Sequence, residues 1–319
     1  MFLIGCHLTV ADGFAAMARS AAALGATTFQ FFSRNPRGGS AKDWKPADIA
    51  EFAALCAAHG IAQPLAHAPY TINPAAEKPN VREFARTALR EDLTKLEAVN
   101  TALTARSGAV AAADISAKRS ADGALPEPAR GSDLPGQPVN NASPVMYNLH
   151  PGSHVGQGAD VGISLTAQCL NEAVPDGSVP VLLETMAGKG SELGGTFAEL
   201  RQIIDRAENV RDRLGVCLDT CHVYDAGYDV AGDLDGVLRE FDREIGLDRL
   251  RAVHLNDSKN PFASHRDRHE VIGGGSLGLE TFRNAINHPL LRGLPFYLET
   301  PNDLDGYARE ITLLTGMRE

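Results

Sequence analysis

Histidine, aspartate and glutamate side chains recur in this chain within short phrases typical of metal-binding sites. The nine residues are His67, His150, Glu184, Asp219, His222, His254, Asp267, His269 and Glu299. Imidazole and carboxylate groups together suit Zn²⁺, and Mn²⁺ or Fe²⁺ could replace it. Nine ligands are too many for one ion. Three ions with three ligands each would keep coordination positions open for water and substrate, as a catalytic site requires.

The chemistry that needs such a cluster is phosphodiester hydrolysis. Two ions about 3.5–4 Å apart can share a hydroxide nucleophile and stabilise the attacking and leaving oxygens of a phosphoryl displacement. A third ion can hold a further oxygen of the phosphate group. Sugar isomerases need only one or two ions, so they would leave several of these ligands without a role. The ligand count therefore favours a phosphodiesterase.

Eight short runs rich in β-branched or aromatic residues predict strands. They are residues 2–10, 27–33, 63–70, 145–150, 179–185, 215–221, 251–256 and 295–300. Stretches with apolar residues three and four apart, such as 47–59 and 81–99, predict helices between most of them. This α/β alternation indicates parallel βαβ units, most simply a single (β/α)₈ TIM barrel over residues 1–319. A doubly wound open sheet is the alternative, but no glycine-rich phosphate turn follows the first strand.

A barrel would bring the nine ligands together at one mouth. Six of them end strands three to eight, and three lie in the loops beyond strands six and seven. The strand-end ligands are His67, His150, Glu184, Asp219, His254 and Glu299, and the loop ligands are His222, Asp267 and His269. In TIM barrels the C-terminal ends of the strands surround the active site. Burying so many ionisable groups there without metal ions would be very costly, so the placement supports the cluster.

One interval departs from this alternation, because strands three and four begin at residues 63 and 145. The excess, residues 100–143, is rich in Ala, Gly, Ser and Pro and poor in large apolar residues. Such a segment cannot bury enough surface to offset the entropy of ordering it. We expect a low-complexity, flexible insertion between the third helix and the fourth strand, on the face opposite the active site.

Composition limits the class of protein. The formal net charge of −10 argues against a protein that coats nucleic acid with a basic surface. Bound divalent ions would make the site locally positive, so an acidic chain can still have a phosphate substrate. The five cysteines show no paired framework, and the short apolar N-terminus lacks a basic start, which together predict a cytoplasmic protein without a signal peptide or membrane span. Cys217 and Cys221 flank Asp219, so a thiolate zinc site is the alternative to simple packing there.

Seven phrases of the sequence resemble the endonuclease IV family of apurinic/apyrimidinic (AP) endonucleases. They are HAPY, LHPGSHVG, LLETMAGKGSELG, LDTCHVYDAGYD, VHLNDSK, DRHEVIGGGSLG and YLETP. The resemblance covers the chain outside the insertion, and it implies a zinc-dependent TIM-barrel hydrolase of base excision repair with three zinc ions. Such an enzyme would cut the phosphodiester 5′ to an abasic site, leave a 3′-hydroxyl and a 5′-deoxyribose phosphate, and clean blocked 3′ ends.

The resemblance also implies roles for individual residues. His67 and His150 would hold one zinc ion, and Glu184 would bridge it to a second ion. Asp219, His254 and Glu299 would complete the second site, and His222, Asp267 and His269 would form the third. Glu184 and Glu299 would be the catalytic residues, with Glu299 orienting or deprotonating the attacking water.

The expected partner is double-stranded DNA that contains abasic sites or blocked 3′ ends. Members of the family probe the minor groove with loop residues and flip the abasic nucleotide out. Arg37 and Tyr70 match the probing positions, and Thr71 stands where the family usually has an apolar wedge residue. Arg268 in the DRH motif is a further candidate contact, and His7 could form the floor of the site. We expect the chain to act as a monomer.

Two other functions stay open on the residues alone. A sugar isomerase or epimerase on the same barrel would use fewer ligands around a small polyol. A non-catalytic DNA-binding or metal-buffering protein would have no use for open coordination positions. Metal content separates the nuclease from the isomerase. About three zinc ions per chain supports the nuclease, and a single Mn²⁺ or Mg²⁺ supports the isomerase.

Overall fold

A computed structural model describes residues 1–37, 39–121 and 145–319, with residues 106–121 described by their backbone alone. Its barrel strands are β1 (Ile4–Leu8), β2 (Gln30–Phe32), β3 (Leu65–His67), β4 (Met146–Leu149), β5 (Val181–Glu184), β6 (Leu214–Asp219), β7 (Leu250–His254) and β10 (Phe296–Leu298). These eight strands are parallel, and they close in the order β1-β10-β7-β6-β5-β4-β3-β2. Between β7 and β10, the strands β8 (Asp257–Ser258) and β9 (His269–Glu270) form a separate antiparallel ribbon.

Helices surround the barrel in the described residues. They are α1 (Phe14–Ala23), α2 (Pro46–His59), α3 (Pro79–Ala121), α4 (Ala159–Ala173), α5 (Phe197–Arg206), α6 (Thr220–Ala226), α7 (Leu234–Glu244), α8 (Leu279–Asn287) and α9 (Leu304–Gly316). Local sequence sets several of their ends. The Thr196 side chain caps α5, Asp303 caps α9, and Gly60 ends α2 in the left-handed conformation at φ 66°.

Two apolar layers hold this architecture together. Outside the barrel, aromatic side chains pack between strands and helices, as where the Phe14 ring lies 5.4 Å from both Phe31 and Phe52. Inside the barrel, one fully buried layer takes a side chain from each of six strands. Its members are Leu65, Met146, Leu182, Cys217, Ala252 and Tyr297. The barrel is therefore closed below its mouth by a packed floor.

The predicted TIM barrel is confirmed, and a low-complexity segment does lie between α3 and β4. The expectation that helical structure stops near residue 99 is wrong, because α3 continues to Ala121. Leu103 in this extension is buried, and the alanine-rich sequence around it favours helix. Residues 122–144 of the predicted insertion lie outside the described residues. Among the described helices, none combines the length and apolar character of a membrane span.

Candidate metal centre

A polar ring lies directly above the apolar layer inside the barrel. Side chains in a strand alternate between faces, so the residue two positions after each member of the apolar layer also points inward. Together with His7 of β1 and Gln30 of β2, which are paired in register, these residues complete the ring. Its members are His7, Gln30, His67, Asn148, Glu184, Asp219, His254 and Glu299. His150 follows two residues after Asn148, just beyond the end of β4.

Glu184 is the centre of the cluster. One of its oxygens, Oε2, lies 3.1 Å from His67 Nε2 and 3.5 Å from His150 Nε2. The other, Oε1, lies 3.1 Å from His254 Nδ1 and 3.3 Å from His222 Nδ1. The carboxylate is fully buried, and its two oxygens face different nitrogens. With His67 and His150 at one oxygen and His254 at the other, this is the arrangement expected of a carboxylate that bridges two ions.

All nine predicted ligands come together in three groups, within each of which the ligand atoms lie within 4.8 Å of one another. The first contains His67, His150 and Glu184, the second Glu184, Asp219, His254 and Glu299, and the third His222, Asp267 and His269. We call the first two groups the inner sites and the third the outer site. The grouping matches the sets that the resemblance implied.

The outer site is built from shorter elements than the inner sites. Asp219 ends β6 and accepts a hydrogen bond from the backbone N–H of His222 at 2.9 Å, which fixes His222 in the first turn of α6. His269 is paired with Ser258 in the ribbon of β8 and β9. The Asp267 carboxylate lies 3.2 Å from His222 Nε2 and 3.6 Å from His269 Nε2.

A buried carboxylate holds this ribbon in place. Asp257 of β8 accepts hydrogen bonds from four backbone N–H groups, those of Ser258, Gly273, Gly275 and Leu277, at 2.8–3.0 Å. The loop that follows His269 is thereby folded back onto β8. The position of the outer-site histidine thus depends on a small hydrogen-bonded unit outside the barrel.

Four histidines bind the protein with one ring nitrogen and face the carboxylates with the other. The binding contacts are His67 Nδ1 to the Ala68 carbonyl at 2.6 Å, His222 Nδ1 to the Thr185 carbonyl at 2.8 Å, His269 Nδ1 to the Glu299 carbonyl at 3.2 Å and His254 Nε2 to Gln30 Oε1 at 2.6 Å. A carbonyl oxygen only accepts, so each of these nitrogens carries the proton. The opposite nitrogen keeps its lone pair for a metal ion.

Sequence reasoning missed three buried amides that support the carboxylates. Asn148 Nδ2 donates to Glu184 at 2.6 Å, Asn256 Nδ2 to Asp219 at 2.7 Å and Gln30 Nε2 to Glu299 at 2.5 Å. A signal for two of them was present in the sequence. Gln30 in FQFF and Asn148 in MYNL are polar residues at inward positions of otherwise apolar strands. Such residues are costly to bury unless they have a hydrogen-bonding partner.

The electrostatics keep the central carboxylates ionised. Burial alone would raise the pKa of Glu184, but the charge of His254 and the hydrogen bonds from His222 and His254 hold it well below its ordinary value. Burial would likewise raise the pKa of Glu299, and His254 again lowers it well below that value. For Asp267 the hydrogen bond and charge of His222 outweigh burial and lower the pKa to about 2. The site therefore concentrates negative charge where a cation would bind.

The histidines divide into two kinds in the metal-free chain. Burial opposes protonation of His222 and His254, yet the neighbouring acidic groups raise the pKa of both well above the ordinary value. Burial lowers the pKa of His150 to about 4, so its ring is neutral at neutral pH. Burial also lowers the pKa of His7, although Glu299 opposes that shift.

The donor set fits metal ions. His269 Nε2 is buried and has no hydrogen-bond partner within the described chain, although it faces Asp219 Oδ2 at 3.7 Å and Asp267 Oδ1 at 3.6 Å. An unpaired buried polar atom costs about 1–3 kcal/mol. A cation between this nitrogen and the carboxylates would remove that cost. Nitrogen and carboxylate ligands of this kind suit zinc.

The cysteines do not favour the alternative thiolate site. Cys217 belongs to the apolar layer inside the barrel, and burial raises the pKa of its thiol to about 11. Cys221 lies close to Asp219 and His269, but burial raises the pKa of its thiol as well. No group of potential ligands in the described part of the chain contains both cysteines, so they do not form a thiolate pair around Asp219.

Three of the predicted DNA contacts stand at the mouth of the site. Tyr70 is 62% exposed, and its ring lies 5.8 Å from the His150 ring and 5.1 Å from Phe32. Thr71 is its exposed neighbour. Arg268 is exposed beside the outer site and donates to the Asp267 carbonyl at 2.7 Å. These side chains surround the metal centre without contributing to it.

Arg37, the fourth predicted contact, is exposed on the loop between β2 and α2. This loop is anchored through the buried Arg34, whose Nε donates to Asp92 Oδ1 of α3 at 2.7 Å. The second oxygen of Asp92 accepts from Ser33 Oγ at 2.7 Å and from Tyr147 of β4 at 3.1 Å. The predicted DNA-probing loop is thus fastened at its base.

His7, the predicted floor of the site, stands at its side. Its Nδ1 lies 3.0 Å from Gln30 Nε2 and 3.8 Å from Glu299 Oε1. Its ring packs 4.3 Å from the Phe32 ring. Together with the loops after β1 and β2, His7 lines a cavity of about 1020 Å³, and its ring also faces Glu299 of the metal centre.

Comparison with known proteins agrees with this geometry. The family model described as a xylose isomerase-like TIM barrel matches residues 18–127 and 142–317. The protein "Probable endonuclease 4" of Akkermansia muciniphila is 49% identical over 312 residues, which cover 98% of this chain and 97% of the relative. The chain belongs to the endonuclease IV family. Its relative from Clostridium beijerinckii, with the same name, is 46% identical over 98% of both chains.

Solved structures support the same assignment. Endonuclease IV from Thermus thermophilus superimposes with a TM-score of 0.75 at 30% identity, over 99% of this chain and 98% of the other. A 3-keto-D-glucoside 4-epimerase from E. coli superimposes with a TM-score of 0.60 at 14% identity, which reflects the shared barrel alone. Membership of the endonuclease IV family makes the chain a hydrolase of the nuclease class, and it resolves the choice between nuclease and isomerase.

Proposed function

We propose that the chain is an AP endonuclease of base excision repair that hydrolyses the phosphodiester 5′ to an abasic site in double-stranded DNA. The products would be a 3′-hydroxyl and a 5′-deoxyribose phosphate, and the same centre would remove blocking groups from 3′ ends. One observation carries the proposal: nine ligands form three groups around the shared carboxylate of Glu184. Three zinc ions would occupy these groups, and Mn²⁺ or Fe²⁺ could substitute.

The protein supplies orientation and a proton acceptor for this reaction. Ions held by the three groups would polarise the phosphodiester and lower the pKa of a water molecule. Gln30 fixes one oxygen of Glu299, and the other lies 3.2 Å from His254 Nδ1. Glu299 is thus ionised and held in one orientation, which suits it to orient the attacking water and accept its proton. Glu184 would hold the two inner ions at a fixed separation.

Side chains at the mouth would recognise the damaged duplex. Arg37 would enter the minor groove at the gap that the missing base leaves, and Tyr70 would stack against the adjacent pair as the nucleotide leaves the helix. Thr71 offers less apolar surface than a larger wedge, so Tyr70 carries more of the stacking. Arg268 would contact a phosphate close to the outer site. We expect the chain to act as a monomer in the cytoplasm, on chromosomal DNA.

The decisive experiment uses a labelled duplex with a single tetrahydrofuran abasic analogue, which a lyase cannot cut. Zinc-loaded protein should incise it immediately 5′ to the analogue, and a DNA polymerase should extend the product from its 3′-hydroxyl. Metal analysis of the same sample should give about three zinc ions per chain. The undamaged duplex is the control.

Absence of incision by fully loaded protein would refute the proposal. A single Mn²⁺ per chain together with epimerisation of a ketose would support the epimerase instead. Incision of the undamaged duplex at a similar rate would show that the chain is a nuclease without selectivity for abasic sites.

A further inference from the structure

The hydrogen bonds of Gln30 determine where the neighbouring histidine carries its proton. Gln30 is fully buried, and its amide contacts His254, Glu299 and His7. An amide has one accepting oxygen and one NH₂ group with two protons. Which end faces which neighbour is therefore fixed by what those neighbours can accept or donate.

Two neighbours fix the orientation of the amide independently. Glu299 Oε1 lies 2.5 Å from the amide nitrogen, and an ionised carboxylate only accepts hydrogen bonds. His254 Nε2 lies 2.6 Å from the amide oxygen. A metal ion held by the inner-site carboxylates would bind His254 at Nδ1, which faces them, so the ring proton is on Nε2 and is donated to the amide oxygen. Reversing the amide would place two acceptors together at Glu299 and two donors together at His254.

The second amide proton therefore points to His7. Gln30 Nε2 lies 3.0 Å from His7 Nδ1, so this nitrogen must accept and cannot carry a proton. The proton of the neutral ring is then on Nε2. Only Nδ1 of His7 has a hydrogen-bond partner among the residues that the structure describes. The ring is 19% exposed, lines the same cavity and faces Glu299 of the metal centre.

We propose that Gln30 holds the proton of His7 on Nε2 and thereby makes His7 a hydrogen-bond donor to a phosphodiester oxygen of the strand bound at the metal centre. Gln30 is a positioning residue, and His7 is the residue that touches the substrate. This assignment rests on the proposed function, because it takes a phosphodiester to be the substrate. Through Glu299 and His7, one amide would orient both a proton acceptor and a hydrogen-bond donor.

The proton position can be measured without reference to activity. Zinc-loaded full-length protein labelled with ¹⁵N-histidine gives long-range ¹H–¹⁵N spectra that distinguish protonated from unprotonated ring nitrogens. The signals of His7 are assigned by their loss in His7→Asn. We expect Nδ1 to be unprotonated and Nε2 protonated, and Gln30→Leu to let a substantial fraction of the proton move to Nδ1. A protonated Nδ1 in the wild type, or no change in Gln30→Leu, would overturn the proposal.

The donor role is tested by kinetics with unchanged metal content. A single positioned donor to a developing oxyanion contributes about 10²–10³-fold in kcat, and an oxygen that is less charged gives less. We therefore expect His7→Phe to lower kcat at least about tenfold, while His7→Gln, which keeps an N–H donor, recovers part of the loss. His59→Phe changes an exposed histidine at the end of α2 and is the matched control.

The design separates failure of this inference from failure of the proposed function. The kinetics are measured on the abasic duplex and also on bis(p-nitrophenyl) phosphate, a phosphodiester that needs no abasic site. Wild-type protein that hydrolyses only the small diester would refute AP-site specificity and would still test His7. If His7→Phe keeps the wild-type kcat on both substrates at equal zinc content, His7 is not the donor.

Discussion

The inner and outer sites of the metal centre are positioned by different means. Four of the six inner ligands, His67, Glu184, Asp219 and His254, end barrel strands and are almost completely buried. His150 and Glu299 follow directly after strands and are 26% and 14% exposed. The outer site draws on a seven-residue helix, a loop and a two-residue strand, and its Asp267 is 32% exposed. Barrel hydrogen bonds fix the inner geometry, whereas local contacts fix the outer geometry. Asp267 and His269 are only partly buried, on a loop and a two-residue strand, so the outer ion should be the more exchangeable.

The largest loss of activity and of zinc should follow from removing the Glu184 carboxylate, which the two inner sites share. In Glu184→Gln, one amide oxygen replaces two charged oxygens, so both inner ions lose a ligand. Because metal ions contribute several kcal/mol to stabilising the transition state, we expect kcat on the abasic duplex to fall at least about 10³-fold. Zinc content should fall from about three to about one.

Glu192→Gln is the matched control for that experiment. It changes a partly buried carboxylate on the loop after β5 that belongs to none of the three ligand groups. Its zinc content and kcat should stay close to those of the wild type. Retention of three zinc ions by Glu184→Gln would contradict the assignment of Glu184 as the bridge.

Removing a ligand of the outer site should leave the inner sites occupied and should lower activity less than Glu184→Gln does. In Asp267→Asn we expect loss of one zinc ion with the inner two retained, because Asp267 belongs only to the third group. Losing a hydrogen-bonding partner of a metal ligand costs about 10–100-fold in affinity or activity, and losing the direct ligand Asp267 should cost at least as much. Stepwise chelation of the wild type, followed with a zinc-sensitive dye, should show one fast ion and two slow ions. Simultaneous loss of all three ions would show that the sites are not independent.

A pH series of metal-free protein tests both sites through their histidines. The pKa values of His222 and His254 are raised in the folded chain, so these residues stabilise it fully below their ordinary pKa of 6.5. That contribution is lost as the pH rises through the folded-state values. We expect the Tm of the metal-free protein to fall as the pH rises above neutrality. Zinc-loaded protein should lack this loss, because its metal-bound nitrogens carry no proton.

His222→Gln separates the outer-site contribution to this pH dependence of Tm from the inner-site contribution. The variant removes the outer contribution and leaves the inner one at His254. Its metal-free form should show a shallower fall of Tm with pH than the wild type. An identical slope would place the whole effect at His254, and equal slopes for loaded and metal-free wild type would contradict the protonation of both.

The smallest effect should come from the low-complexity segment. We predict that replacing residues 106–142 with a short glycine–serine linker leaves incision of the abasic duplex nearly unchanged. Leu103 is kept because it is buried against the core. Incision and Tm are measured together on the variant. A large loss of activity at unchanged Tm would show that the segment contributes to the metal centre or to DNA binding.

The sequence predicted the barrel and the six strand-end ligands because strands three to eight repeat the same short pattern. A run of apolar residues ends in one hard ligand, and parallel strands bring such ends together. The ligand pairs within the outer site were harder to predict, because Asp267 and His269 depend on the ribbon of β8 and β9. No feature of two-residue strands distinguishes them from loop in a single sequence.

The supporting amides were missed for a related reason. Gln30 and Asn148 are single polar residues inside short strands, and their partners lie on other strands far away in the chain. Only the closed barrel shows that they face carboxylates. The end of the third helix was misplaced because composition was taken as evidence of disorder. Alanine-rich sequence also favours helix, and Leu103 gives the extension a buried contact.

The anchor formed by Arg34 and Asp92 links the loop of Arg37, the predicted DNA contact, to a strand that leads to a predicted metal ligand. Asp92 holds the loop of Arg37 through Ser33 and Arg34, and it also receives the hydroxyl of Tyr147 in the strand that leads to His150. If the loop binds bent DNA as proposed, a force on it would reach this strand through Asp92 and would reach His67 through the hydrogen bonds from Ser33 to the His67 carbonyl. The strain of kinking a duplex would then bear on the alignment of two inner ligands.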